Sequence, residues 1–123
     1  MASFILITGA SSGFGAATAK LFASKGYGLV LMARRKNKLD ALVNELPENI
    51  EAHILVADVR NEEVVTNALD SLPKHVKTAL SILVNNAGLA VGKGPIDRGL
   101  IEDWDRMIDT NIKGLLYVSR AVI

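Results

Sequence analysis

Thr8-Gly9-Ala10-Ser11-Ser12-Gly13-Phe14-Gly15 follows directly on the apolar run Phe4-Ile5-Leu6-Ile7. The run is short, continuous and bounded by glycine, the pattern of a strand buried on both faces. From Phe14 the periodicity turns helical and predicts an inner face of Phe14, Ala17, Thr18, Leu21 and Phe22. Glycines at 9, 13 and 15 thus lie between a strand and a helix. Glycine permits a tight turn and lets a phosphate approach the backbone with no Cβ in the way. The helix start adds unpaired N–H groups and the positive end of the dipole, and Ser11 and Ser12 add hydroxyl donors. A glycine-rich turn by itself need bind nothing; the strand before it and the helix after it point to a dinucleotide. No Gly-Lys-Ser/Thr follows, so this is not a nucleoside-triphosphate loop.

Outward from this turn, strands and helices alternate. Gly26 and Gly28 stop the first helix, and Leu29-Val30-Leu31-Met32 reads as a second buried strand. Lys36 to Leu46 is a helix with Leu39, Leu42, Val43 and Leu46 inward, ended by Pro47. Ala52 to Val56 is a third strand. Asn61 caps a helix that carries Glu62 and Glu63 in its first turn and runs to about Leu72, before Pro73. Leu80 to Val84 is a fourth strand, and a long helix begins near Ile101 and continues to the last residue. Such βαβαβαβα order predicts an α/β fold: a Rossmann-type, doubly wound parallel sheet of order 3-2-1-4, truncated after the fourth strand and its following helix. Residues 1–123 form one such domain, and its switch point lies between the first and fourth strands.

Composition narrows the function. The 123 residues carry 14 Lys+Arg against 13 Asp+Glu, which argues against nucleic acid as a partner. Hydrophobic residues make up 50%, so the chain is not disordered. No cysteine is present, which removes thiolate metal sites, thiol nucleophiles and disulfides. His53 and His75 stand far apart in sequence and suggest no metal cluster. No apolar run approaches the ~18–20 residues that span a bilayer, and Met1-Ala2-Ser3-Phe4 lacks the basic start of a signal peptide. A soluble, cytoplasmic protein without a membrane partner is expected.

Four further places bear on the ligand. The second strand ends Met32-Ala33-Arg34-Arg35, where an acid would hold the ribose 2′-hydroxyl of NAD. Two arginines stand there instead. Guanidinium matches a phosphate in geometry and charge, so Arg34 and Arg35 are read as binders of the 2′-phosphate of NADP rather than as solvated surface charges. Asp58-Val59 closes the third strand; the carboxylate either accepts from an adenine amino group or serves its own turn. Asn85-Asn86-Ala87-Gly88 follows the fourth strand at the carboxyl end of the sheet, as a ligand loop or an ordinary Asx-turn. Asn111 lies seven positions after Trp104, in the apolar stripe of Trp104, Met107, Ile108, Leu115, Val118 and Val122. Taken alone, it reads as a buried amide tied to the sheet before it reads as a catalytic group.

These motifs, in this order and rough spacing, resemble the short-chain dehydrogenase/reductase family over all 123 residues. Gly13-Phe14-Gly15, Ala33-Arg34-Arg35, Asn85 through Leu89, and Glu102-Asp103-Trp104 leading to Met107-Ile108-Asp109-Thr110-Asn111 look most like its NADP-dependent 3-hydroxy acid (serine or allo-threonine) dehydrogenases. The resemblance implies that Gly9 through Gly15, with Phe14 among them, hold the pyrophosphate and adenosine ribose. It implies that Asp58 and Val59 flank the adenine, and that Asn85, Ala87 and Gly88 line the path to the nicotinamide ribose. Asn111 would position a water in a proton relay, and a homo-oligomer is expected. Paired arginines and Asn85-Asn86-Ala87-Gly88 count against methyltransferases and sugar-nucleotide epimerases, which also carry glycine-rich first turns.

The resemblance also implies a serine and a Tyr-x-x-x-Lys pair downstream of Asn111. Tyr27 and Tyr117 are followed four residues later by Leu31 and Ala121, so neither supplies it. These residues are therefore expected to be the N-terminal, cofactor-binding part of a longer enzyme that moves hydride between NADP and a small alcohol or 3-hydroxy acid. The alternative is a non-catalytic nucleotide-binding piece, or one that associates with itself or a partner through its apolar helix and an open strand edge.

Overall fold

The computed structural model describes residues 3–11, 13–88 and 98–123. In chain order the elements are β1 (Phe4–Thr8), α1 (Gly13–Ser24), β2 (Gly28–Ala33), α2 (Lys36–Asn44), β3 (Ala52–Val56), α3 (Glu62–Asp70), α4 (Lys74–Ala79), β4 (Leu80–Val84), α5 (Ile101–Ile108), a π-helical segment (Asp109–Gly114) and α6 (Leu115–Val122). The four strands form one parallel sheet in the order β3-β2-β1-β4, as expected from the alternation of elements.

Every residue of β1 and β2 is buried, because these central strands are covered on both faces. Ile5, Ile7, Leu29 and Leu31 point to the side where Ala19, Ala23, Leu39 and Leu42 pack from α1 and α2. Leu6, Val30, Met32 and Leu55 point to the other side, against Val65 and Leu69 of α3, Val76 of α4 and Val118 of α6. Strands β3 and β4 are the outer strands and are only partly buried.

Helix α1 corrects the expected face. Phe14 is 86% and Leu21 54% exposed, whereas Gly15, Ala19 and Ala23 are buried. Small residues at a spacing of four let the helix axis approach the sheet, and that proximity outweighs the larger apolar side chains, which turn outward. The helix ends in a Schellman motif: Tyr27 N–H donates to Phe22 O (3.1 Å) and Gly26 N–H to Ala23 O (3.0 Å), with Gly26 at φ +88°. The Tyr27 and Phe22 rings meet edge to face at 5.2 Å, the hydrophobic contact of that motif. Gly28 does not stop the helix; it opens β2, where a Cβ would lie 2.4 Å from the Phe4 ring.

Asn61 caps α3 as expected, its side chain accepting from Val64 N–H. After Pro73 the chain re-enters a helix, α4, which the sequence reading had passed over; proline is tolerated at a helix start, where its missing N–H has no partner to lose. The expected long helix from Ile101 is divided by its π segment.

Candidate cofactor site

At the carboxyl ends of the strands lies a crevice of about 400 Å³ lined from the turn after β1, the ends of β2, β3 and β4, and the far helix. Its lining includes Gly9, Ser11, Phe14, Arg34, Arg35, Asp58, Val59, Ala87 and Gly88 of the residues expected from sequence. Gly13, Gly15, Asn85 and Asn111 are not in its wall, and Ser12 lies outside the described residues. Arg60 and Arg106, which no sequence motif marks, also line it, as do Asn86 of the loop after β4 and Thr110 beside Asn111.

Thr8, the last residue of β1, organises the junction. It is 1% exposed, and its Oγ1 accepts from the backbone N–H of both Asn86 and Ala87 at 3.0 Å. The Asn86 amide in turn donates to Gly9 O at 3.1 Å. The loop after β4 is thereby fastened to the glycine turn across the switch point. Gly9, at φ +62°, leaves no room for a side chain: a Cβ would lie 2.8 Å from Ala87 Cα. At Gly15 a Cβ would lie 2.2 Å from Gly9 O. These glycines hold two loops and a helix start in close approach. Thr8→Val removes the acceptor of two part-buried N–H groups and is expected to destabilise the fold by about 2 kcal/mol. Chemical denaturation checks this; an unchanged midpoint would show that another acceptor replaces the hydroxyl.

Charge in the crevice is unequal. Four arginines line it, at positions 34, 35, 60 and 106, against one carboxylate, Asp58. Arg60 is neutralised by Asp58 through Nη2–Oδ2 at 2.7 Å and Nε–Oδ1 at 3.1 Å. Arg106 pairs with Asp103 at 3.7 Å. Arg34 and Arg35 are exposed, and neither has an ion pair among the described residues. The end of β2 is therefore a cationic wall of the crevice without an ion pair among the described residues, with Asp58 near enough to Arg34 for the two charges to attract.

Asp58 also accepts from its neighbour's backbone, Arg60 N–H to Oδ1 at 3.0 Å, so in this structure its oxygens serve the turn. Hydrogen bonds from the Arg60 side chain hold its carboxyl below the ordinary value against partial burial. A depressed carboxylate stabilises the fold above its unfolded pKa, near 4, and that stabilisation disappears as the pH falls through the lower folded value. Asp58→Asn is expected to flatten the acid limb of a Tm-against-pH curve below about pH 4; an unchanged limb would mean that the pair contributes nothing.

Asn85 donates from Nδ2 to Ser119 Oγ at 3.1 Å and so ties the end of β4 to α6. Asn111 sits in the π-helical segment and is exposed, which corrects the expectation of a buried amide. The π turn shifts the helical phase, so the stripe counted from Trp104 at regular spacing does not carry through. The Asn111 Oδ1 lies 3.4 Å from where a Cβ of Gly88 would be, which places this amide beside the loop after β4. Gly114 closes the segment against Val59, whose Cγ2 would be 2.6 Å from an added Cβ. π turns recur at functional sites, and this one sets Asn111 beside Gly88.

Comparison with known proteins identifies the family. Residues 3–123 match the family model described as short chain dehydrogenase. Sulfoacetaldehyde reductase 2 of Chromohalobacter salexigens is 47% identical over 126 residues, which cover 100% of this chain and 48% of that protein. The NADP-dependent 3-hydroxy acid dehydrogenase YdfG of Escherichia coli (strain K12) is 43% identical over 119 residues, covering 97% of this chain and 47% of that protein. A closed form of serine dehydrogenase complexed with NADP+ superposes with a TM-score of 0.88 at 42% identity, over 98% of this chain and 47% of that one. The chain spans about half the length of the curated relatives it matches.

Proposed function

The chain belongs to the short-chain dehydrogenase family, and from that premise we propose that it is the cofactor-binding part of an NADP-dependent oxidoreductase acting on a small alcohol or 3-hydroxy acid. One observation carries the choice of cofactor: Arg34 and Arg35 stand exposed at the end of β2, without an ion pair among the described residues, where NAD-selective sites place an acid. The relatives add weight, since YdfG is named NADP-dependent and the serine dehydrogenase structure holds NADP+.

The residues present fit a dinucleotide phosphate. Gly9 and Gly15 let the turn, the loop after β4 and the start of α1 pack with no Cβ between them, and Gly13 has nothing within 4 Å of an added Cβ, which leaves that side of the turn open to a phosphate. In this reading Gly9 through Gly15, with Ser11, Ser12, Gly13 and Phe14, hold the pyrophosphate and adenosine ribose. Arg34 and Arg35 hold the 2′-phosphate by charge-assisted hydrogen bonds. Val59 provides an apolar wall for the adenine, and Asp58 keeps the Arg60 guanidinium in place beside it. Ala87 and Gly88, short enough for close approach, line the path of the nicotinamide ribose, while Asn85 steadies that loop from behind through Ser119.

When bound, NADP supplies the hydride acceptor or donor. The work of this chain is to orient it. Asn111 is assigned the positioning of a water in the proton relay, from its place on the π turn beside Gly88. The substrate-binding and remaining proton-transfer groups are assigned to the share of the relatives' length that these residues do not span. A small acidic substrate is favoured, because relatives at 47% and 43% identity are named for sulfoacetaldehyde and for 3-hydroxy acids.

The decisive experiment is a coenzyme titration of the intact protein with NADPH and NADH, followed by turnover on serine, other 3-hydroxy acids and sulfoacetaldehyde. At least about tenfold tighter NADPH binding is expected from one charge-assisted contact. Equal affinity for the two coenzymes would refute the NADP assignment.

A further inference from the structure

At the opposite end of the sheet from the crevice, three residues distant in sequence converge. Glu51 leads into β3, His53 is its second residue, and His75 lies in α4. His53 and His75 stand 22 positions apart in sequence (75 less 53), yet their ring centroids are 6.4 Å apart, so the separation from which no metal cluster was expected does not hold in the fold. Both direct Nε2 at one oxygen, Glu51 Oε2, at 2.6 and 2.7 Å. One potential ligand atom from each residue lies within 4.8 Å of the others. Phe4 backs the pair, its ring 6.1 Å from that of His53 and 6.2 Å from that of His75.

We propose that Glu51, His53 and His75 form a binding site for a divalent ion of the zinc type. Two imidazoles and one carboxylate are a donor set that zinc accepts, with water completing a tetrahedron. Bonds of ~2.0–2.2 Å in a tetrahedron separate ligand atoms by about 3.3 Å. The Glu51–histidine distances of 2.6 and 2.7 Å need to open by about 0.6–0.7 Å to reach that separation, and the side chains are 26–59% exposed, so they have room to do so. Each imidazole offers its Nε2 lone pair to the ion in the tautomer that carries the proton on Nδ1. His53 precedes Ala57, at the crevice wall, by four strand residues, roughly 13 Å, so the ion takes no part in the coenzyme chemistry. It clamps the entry of β3, an outer strand, to α4 and the Phe4 end of β1. These are the elements at the bottom of the sheet, far from the Thr8 junction that fastens the top.

The test uses the intact protein without an affinity tag, freed of metal by chelation. Cobalt(II) is titrated as a spectroscopic probe, and ZnCl2 is followed by thermal unfolding. One equivalent of cobalt with a tetrahedral visible band is expected. Zinc at about a hundredfold over its dissociation constant should raise Tm by on the order of 5 °C. His53→Gln and His75→Gln should each weaken metal binding at least about tenfold and leave NADPH affinity unchanged. If either histidine variant loses its fold, Glu51→Gln, at an exposed position, decides the point by the same readouts. No cobalt band and no Tm shift at roughly millimolar metal, or equal binding by the parent and a His53→Gln/His75→Gln double variant, would overturn the proposal. NADPH binding is measured separately, so the outcome is independent of the cofactor assignment.

Discussion

Gly15→Ala is expected to weaken NADPH binding by at least about a hundredfold and to destabilise the fold by about 1–3 kcal/mol. The added Cβ would lie 2.2 Å from Gly9 O, 2.7 Å from Asn86 Nδ2 and 2.9 Å from Gly9 C. None of these is the free end of a flexible side chain: two are backbone atoms, and the amide is held by its own bond to Gly9 O at 3.1 Å. Relief requires α1 to move away from the turn, which breaks the bond joining the turn to the loop after β4. The pyrophosphate cradle and the nicotinamide path are then lost together. Gly13→Ala is the internal control. Nothing lies within 4 Å of a Cβ there, so only its φ of +59° opposes a side chain, a penalty of about 1–2 kcal/mol. NADPH fluorescence titration and thermal unfolding of the two variants separate crowding from strain. Binding by Gly15→Ala within about threefold of the parent, less than 1 kcal/mol, would show that the glycine turn is not the cradle.

Removing the two guanidinium groups has the second large effect, and it acts on coenzyme choice rather than on folding. Arg34→Ala and Arg35→Ala are each expected to weaken NADPH binding tenfold to a hundredfold, since a hydrogen bond to a charged group contributes about 1.5–3 kcal/mol. NADH lacks the 2′-phosphate, so its affinity should change little. Both side chains are exposed and unpaired by acids among the described residues, so the substitutions leave no buried group stranded. Their thermal stability should stay within about 0.5 kcal/mol of the parent. Loss also weakens with salt, because these charges face solvent; repeating the titration at high ionic strength should narrow the gap between NADPH and NADH. Equal losses for both coenzymes would remove the 2′-phosphate assignment while leaving the glycine cradle untouched.

Much of the architecture was legible because it rests on local patterns. Continuous apolar runs at β1 and β2 mark strands covered on both faces, and the structure buries every residue in them. Glycines between a strand and a helix, an Asn61 cap and a Gly26 stop are each local chemistry, and each stands where expected. Order 3-2-1-4 follows from short right-handed crossovers, and the pairing agrees. The face of α1 was misread because hydrophobic size says which residues prefer burial, not how near a helix axis must come. Close approach selected Gly15, Ala19 and Ala23 over Phe14 and Leu21. The burial of Asn111 was misread because a regular 3.6-residue count cannot foresee a π turn.

By itself, then, the sequence determined the class of fold, the order of the sheet, the glycine turn and the two arginines beside it, since all are written in contiguous residues. Only the tertiary structure decided that Thr8 Oγ1 joins the turn to the loop after β4, and that the Asp58 carboxylate pairs with Arg60. It alone brought His53 and His75 to one oxygen of Glu51. The physical reason is common to these: a hydrogen bond forms at about 3 Å, and parallel crossovers bring together groups tens of residues apart in sequence. No local pattern in the chain carries that distance.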